Sequence, residues 1–313
     1  ADPTAWSSGE IWIALYGYSL QVYADFSGYT DMAQGMAGLL GIHLPRNFNF
    51  PYRATSPADF WRRWHMSLSQ WWRDYVYIPL GGNRRFSTIT WGFLLGMVVW
   101  IGTVWGSFGG WLVLSGAMLL ATAWGLMSTT AHNRMATAAN VLLVMLLGGL
   151  WHGAHVNFVT WGAINGAALV AWIVLSPSTH TPWRRALGWL LTFHVVVISR
   201  IWFRAGSLVF WSQGDGTMQP EGAWETALAM WATLTTPATS TMDHTVDSIT
   251  WAVLGLVVSG YLLHLMPHSA RASWEAFVQK WPLWACWCLW MACAVLAVWG
   301  QQDASRPFIY WQF

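Results

Sequence analysis

LLGGLWHGAHVNFVTWG, residues 146–162, sets a titratable ring, His152, inside a run of Leu, Val, Trp and Gly long enough to enter a bilayer. A charged or titratable side chain is costly in hydrocarbon. Such residues face a bundle interior or a water-filled cavity and mark functional paths. The stretch therefore asks for a helical membrane protein with an inner cavity.

The composition agrees. Of 313 residues, 55% are hydrophobic and only 9% are charged, against about 25% charged in soluble domains. Lipid must be the solvent for much of the surface. The 28 Trp and 9 Tyr suit chains whose amphipathic rings gather at the membrane interface. A net charge of +2 gives no reason to expect nucleic acid as a partner. The basic residues are uneven, however. Arg46, Arg53, Arg62, Arg63, Arg73, Arg84 and Arg85 fall between residues 43 and 85, opposed only by Asp59 and Asp74. Cys286, Cys288 and Cys293 share one apolar segment, which argues against a disulfide framework. The chain opens ADPTAW without an initiator Met, as a processed or excised piece would.

Residues 9–42 are apolar and Gly-rich, with Asp25 and Asp31 embedded. Residues 43–88 form a polar and aromatic interlude, in which Ser56-Pro57-Ala58-Asp59 has the residue order of a helix start. One helix is expected from there, with Phe60, Trp61, Trp64, Leu68, Trp71 and Trp72 on an apolar stripe beside arginines. That is the pattern of a helix lying in the cytoplasmic interface. Apolar runs follow near 89–106, 108–127, 136–152, 155–175, 186–203, 249–266 and 281–300. Most reach the 17 to 25 residues, about 20 on average, that a span needs. The stretch 205–248 reads as a polar loop with one short helix near 223–234. Arg84/Arg85, Arg134 and Arg184/Arg185 are separated by pairs of spans and can share the cytoplasmic side. Arg200 and Arg204 fit this scheme poorly, as members of a buried site would.

His152 has two readings at this level. It is either a buried ring bonded to a backbone carbonyl, or a base whose reference pKa of about 6.5 suits proton removal near neutral pH. Gly148, Gly149, Gly153 and Ala154 beside it leave room for a substrate. His155 could pair with it on a metal, but no third or fourth ligand has fitting spacing, so no metal site is expected. His65 is either an interfacial ring or a tunnel residue. Asp25 and Asp31 each need a partner in lipid, for which Arg62, Arg63 and Arg73 are candidates. The arginines could equally hold lipid head groups. A transporter that relays protons through His152 and the carboxylates is the competing function, and a scaffold subunit is a third.

Several ordered motifs carry a resemblance. They are Asp25-Phe26-Ser27-Gly28-Tyr29-Thr30-Asp31, Phe60-Trp61-Arg62-Arg63-Trp64-His65, Arg73-Asp74-Tyr75, Pro79-Leu80-Gly81-Gly82-Asn83-Arg84 and Leu150-Trp151-His152-Gly153, with IWFRA at 201–205 and PFIYWQF at the end. Together the chain resembles the membrane-bound O-acyltransferase (MBOAT) family, and within it the bacterial alginate O-acetyltransferase-like subgroup. The resemblance implies an all-α polytopic bundle with a tunnel, a single membrane-embedded domain over residues 1–313. Relatives carry several spans before the DFSGYTD motif, where only about twenty residues precede it here, as expected of a fragment or of an unusual member whose missing helices come from elsewhere, and residues 86–133 read as an added helical pair.

The resemblance also implies a reaction. An acyl group, acetyl first, leaves a cytoplasmic thioester donor, with acetyl-CoA the first candidate, and no bound cofactor is expected. It moves toward hydroxyls of an exported polysaccharide such as alginate or cellulose, directly or through a periplasmic acyl-transfer protein. Transfer of D-alanine to an envelope polymer is the alternative. The implied setting is the bacterial inner membrane, with a polysaccharide synthase or export complex as a further partner. His152 and His65 map onto the family's two important histidines. Trp151, Asp25, Asp31, Asn47, Trp61, Arg62, Arg63 and His155 are the expected tunnel or substrate-binding residues.

Overall fold

A computed structural model of the chain describes residues 6–84, 87, 88, 90, 92, 96, 129–175, 181–212, 222–236 and 248–299. The described residues contain helices and turns and no strands, so the all-α expectation holds. The first helix, α1, covers Ser8–Leu39. Ser7 caps it: its hydroxyl accepts from the Glu10 amide while the Glu10 carboxylate accepts from the Ser7 amide. This reciprocal box satisfies two donors that a helix start would leave bare.

The stretch 43–88 departs from the single helix expected there. Ser56 does cap a helix with Pro57 in its first turn, but this helix, α2, covers only Pro57–Trp61. His65 then adopts a left-handed conformation, with φ of 44°. A second helix, α3, takes up at Met66–Trp72, and a π-helical turn follows at Arg73–Tyr77. A side chain at positive φ is costly outside Gly, so surrounding contacts must hold it there. The Trp stripe is thus split in two: Trp64 is buried and Trp71 is half-exposed.

Four long helices follow. These are α4 at Thr129–His152, α5 at Val156–Leu175, α6 at Pro182–Ser212 and α7 at Gly222–Thr235. Then come α8 at Ser248–Leu265, α9 at His268–Val278 and α10 at Leu283–Trp299. Within α4, α5 and α6, the stretches Asn133–His152, Val156–Leu175 and Pro182–Ser207 are long and apolar enough to cross a membrane. α8 and α9 qualify only as a pair, bent by 102° at Pro267. The helix α9 was not anticipated from the sequence. α6 runs on to Ser212, inside the stretch expected to be loop, while α7 matches the short helix expected there. The apolar runs 89–106 and 108–127 lie almost wholly outside the described residues.

α4 and α5 form the closest pair. A Cβ on Gly149 would strike the carbonyl of Phe158, and one on Gly162 would strike that of Met145. Small residues let two helices meet backbone to backbone where lipid gives no hydrophobic drive. Gly149 therefore serves packing rather than substrate access. Gly148, with nothing within 4 Å of its added Cβ, faces open space.

The stretch 61–82 runs alongside α4. At one end Trp61 packs on Trp161, centroids 5.8 Å apart, next to His152. At the other end Asn140 Nδ2 donates to the Gly82 carbonyl at 2.9 Å. Twelve helical residues separate Asn140 from His152, or about 18 Å of rise.

Candidate active site

His152 ends α4 and is 8% exposed. Its ring stands edge-on to Trp161 and Phe203, each with its centroid 5.1 Å away. His65 is held from behind. Asn47, itself 8% exposed, places its Oδ1 3.2 Å from His65 Nδ1. The same oxygen accepts from the Ser67 amide at 3.1 Å and the Ser67 hydroxyl at 2.9 Å. The Asn47 carbonyl accepts from the Met66 amide at 2.9 Å. Because Oδ1 can only accept, His65 Nδ1 must carry the proton, which leaves Nε2 as the basic nitrogen. Phe26 of the DFSGYTD motif abuts the ring edge-on, at 4.7 Å. Burial pushes the His65 imidazole down to about 4, so it is neutral at pH 7.

Both histidines line one cavity of about 210 Å³. At one end it is walled by Arg73, Tyr77 and Val141, and at the other by Trp61, Trp161, Phe203 and Arg200. His65 and His152 are near enough to interact electrostatically. His65 and His152 thus face one space, with Arg73 and Tyr77 toward its other end. The walls are aromatic and aliphatic with a few polar groups, as in most small-molecule sites.

The other expected residues divide. Trp61 and Trp151 line the cavity. Asn47 lies behind His65, as its clamp. His155 sits in the turn between α4 and α5, where its Nδ1 accepts from the Asn157 amide at 3.2 Å. Arg62 and Arg63 both pair with Asp59, at 3.6 and 3.0 Å, and Arg73 pairs with its neighbour Asp74 at 2.8 Å. Among the described residues neither Asp25 nor Asp31 forms an ion pair with an arginine, contrary to expectation. Asp59 lies three and four residues from the two arginines on a helical turn, and this local geometry takes them first. Asp25 is half-buried beside Gln21, and Asp31 is exposed.

Arg200 was missed as a site residue, although its misfit in the charge scheme was the signal. It is 3% exposed and lines the cavity. No group of three or more His, Cys, Asp or Glu side chains capable of holding a metal occurs among the described residues.

Comparison with known proteins bears on this site. Residues 3–114 match the family model of the membrane-bound O-acyltransferases. The chain is 35% identical over 229 residues to the probable alginate O-acetylase AlgI of Pseudomonas syringae pv. tomato, covering 73% of this chain and 35% of that protein. It is 35% identical over 208 residues to the peptidoglycan O-acetyltransferase of Helicobacter pylori, covering 66% and 31%. To the teichoic acid D-alanyltransferase of Bacillus subtilis it is 30% identical over 192 residues, covering 58% and 38%. The chain thus spans about a third of the length of these relatives. The motifs and these matches together make the chain a member of the membrane-bound O-acyltransferase family.

Proposed function

We propose that the chain is the histidine-bearing part of an enzyme that moves an acetyl group from a thioester to a hydroxyl of an exported polysaccharide. The observation that supports this best is the convergence of His65 and His152, far apart in sequence, on one aromatic-walled cavity inside a bundle of spans. The donor is an acyl thioester, acetyl-CoA first, and it enters at the Arg73 and Tyr77 end. Arg84, two residues beyond the Gly82 carbonyl that meets Asn140, and Arg134, six residues before Asn140 on α4, lie toward that end, and the positive-inside rule supports reading it as cytoplasmic. The setting is the bacterial inner membrane. The acetyl group leaves on the far side, onto the polymer or a periplasmic partner associated with polysaccharide synthesis and export.

The chemistry follows from the side chains. A sugar hydroxyl is a weak nucleophile at neutral pH. An imidazole of His152 takes its proton as the oxygen attacks the thioester carbonyl carbon. His65, neutral and fixed by Asn47, presents Nε2 to the same space and orients the hydroxyl or the thioester. The Trp and Phe walls exclude water, which would otherwise hydrolyse the thioester. D-alanyl transfer uses the same steps and differs only in the acyl group.

The test is His152→Ala in the full-length protein, assayed in membrane vesicles with labelled acetyl-CoA and the polymer recovered. Loss of a general base lowers transfer by about 10²- to 10⁴-fold. Transfer above about a tenth of wild type, with the protein inserted normally, rejects the assignment.

A further inference from the structure

Arg200 has no task in the scheme above. It sits within a span, yet its side chain is buried against the cavity that holds both histidines. Its guanidinium lies over the Trp64 ring at 5.0 Å and over the Phe203 ring at 5.5 Å. Phe203 is also the ring that meets His152 edge-on, so the cation and the imidazole share one wall. Among the described residues no carboxylate pairs with Arg200, and its Nε has no hydrogen-bond partner. A guanidinium buried without a carboxylate is costly, and the Trp64 and Phe203 faces with the nearby Tyr52 hydroxyl offset only part of that cost. The site thus holds a positive charge in an apolar-walled space.

We infer that Arg200 is the oxyanion-binding group of this cavity, a catalytic residue that holds the negative oxygen formed on the thioester carbonyl. The inference rests on the acyl-transfer reading. In that step the hydroxyl oxygen of the acceptor forms a bond to the carbonyl carbon, and its proton passes to an imidazole of His152. The carbonyl π pair moves onto the oxygen, which becomes an alkoxide beside the guanidinium. When the pair returns, the carbon–sulfur bond breaks, and the leaving thiolate takes the proton back from the imidazolium. Ester and free thiol result, with no oxidant or metal required. A fixed charge in a water-poor site acts most strongly where charge develops in the transition state. A carboxylate carried by a uronate acceptor is a second source of the same anion chemistry, and the experiment separates the two.

The full-length protein in lipid nanodiscs is compared with Arg200→Met and Arg200→Lys, using acetyl-CoA as donor and either a mannuronate oligomer or a neutral gluco-oligosaccharide as acceptor. Arg200→Met keeps length and packs between the two rings, and thermal unfolding checks that it folds. Arg200→Lys keeps the charge should the Met variant fail to fold. With both acceptors kcat is expected to fall about 10²- to 10³-fold with KM nearly unchanged, and added guanidinium ion should restore part of the Met variant's loss. Lysine, a point charge without the planar fork, should recover only part of the rate. Methylphosphonate, a stable tetrahedral anion, should bind wild type and lose at least about tenfold in affinity in either variant, by analogy with transition-state mimics.

A rise in KM confined to the mannuronate acceptor would overturn the oxyanion role in favour of a resident carboxylate. Wild-type rates in the Met variant would overturn the inference alone. Phosphonate binding that depends on Arg200, without transfer from any thioester in wild type, would instead sink the acyl-transfer reading.

Discussion

Replacing Asn47 by Ala removes one oxygen on which three donors converge, His65 Nδ1, the Ser67 amide and the Ser67 hydroxyl. Each hydrogen bond contributes about 1 kcal/mol net. Ser67 is exposed and water takes over part of its demand, so the total loss should be about 2–3 kcal/mol rather than more. The larger effect should fall on His65, whose left-handed backbone at φ 44° is pinned between Asn47 and α3. Without the clamp that residue can relax, the tautomer is no longer fixed, and Nε2 leaves its place in the cavity. Reversible unfolding in mixed micelles measures the first effect, and single-turnover acetyl transfer measures the second. Asn47→Asp is the informative companion. It keeps every acceptor but adds a negative charge beside the ring, which raises the His65 pKa from about 4. It should retain most of the stability lost in Asn47→Ala while shifting the pH–rate profile upward. Stability within about 0.5 kcal/mol of wild type and an unchanged rate in Asn47→Ala would refute the clamp.

Two other outcomes follow from the same geometry. Gly149→Ala should fail to accumulate or lose more than about 2 kcal/mol, because its Cβ meets the Phe158 carbonyl; Gly148→Ala, which meets nothing, should fold normally and change only transfer rate. Between pH 6.5 and about 4 the unfolded chain binds a proton at His65 that the folded chain excludes. Its contribution to stability is therefore full above 6.5 and falls as the pH drops toward 4. Wild type should accordingly lose more stability between pH 7.5 and 5 than His65→Gln does in parallel unfolding titrations.

The parts legible in the sequence are those set by local composition. Apolar runs of span length gave α4, α5 and α6, and the Ser56-Pro57 start gave α2 to the residue. His152 and His65 could be picked out as polar rings in apolar or aromatic surroundings, but the sequence could not place them on one cavity. What brings them together is the break at His65. It depends on Asn47, eighteen residues away, so helical periodicity through 57–72 overrode a tertiary constraint it could not register. The partners of Asp25 and Asp31 were misjudged because long-range pairing was preferred to the Asp59 spacing that stood in plain view. Arg200 shows the opposite case. It broke the charge pattern of the loops because it belongs to the cavity wall, and the misfit was itself the information.

The π-helical turn at Arg73–Tyr77 makes this stretch tolerant in its number of residues. The Ile78 amide reaches back five residues to the Arg73 carbonyl, at 2.9 Å, so the turn accommodates one residue beyond an α-helical count. Removing one residue here would let the helix close in α-form, with the remaining residues turning nearly as far as the present ones do, so the chain beyond would keep its direction. Gly82 would then still reach Asn140 Nδ2 with its carbonyl. A single-residue deletion in 73–77 should thus be better tolerated than one in α3, where no extra residue is stored. Homologous chains that keep this cavity should accordingly be able to differ by one residue in the length of this segment.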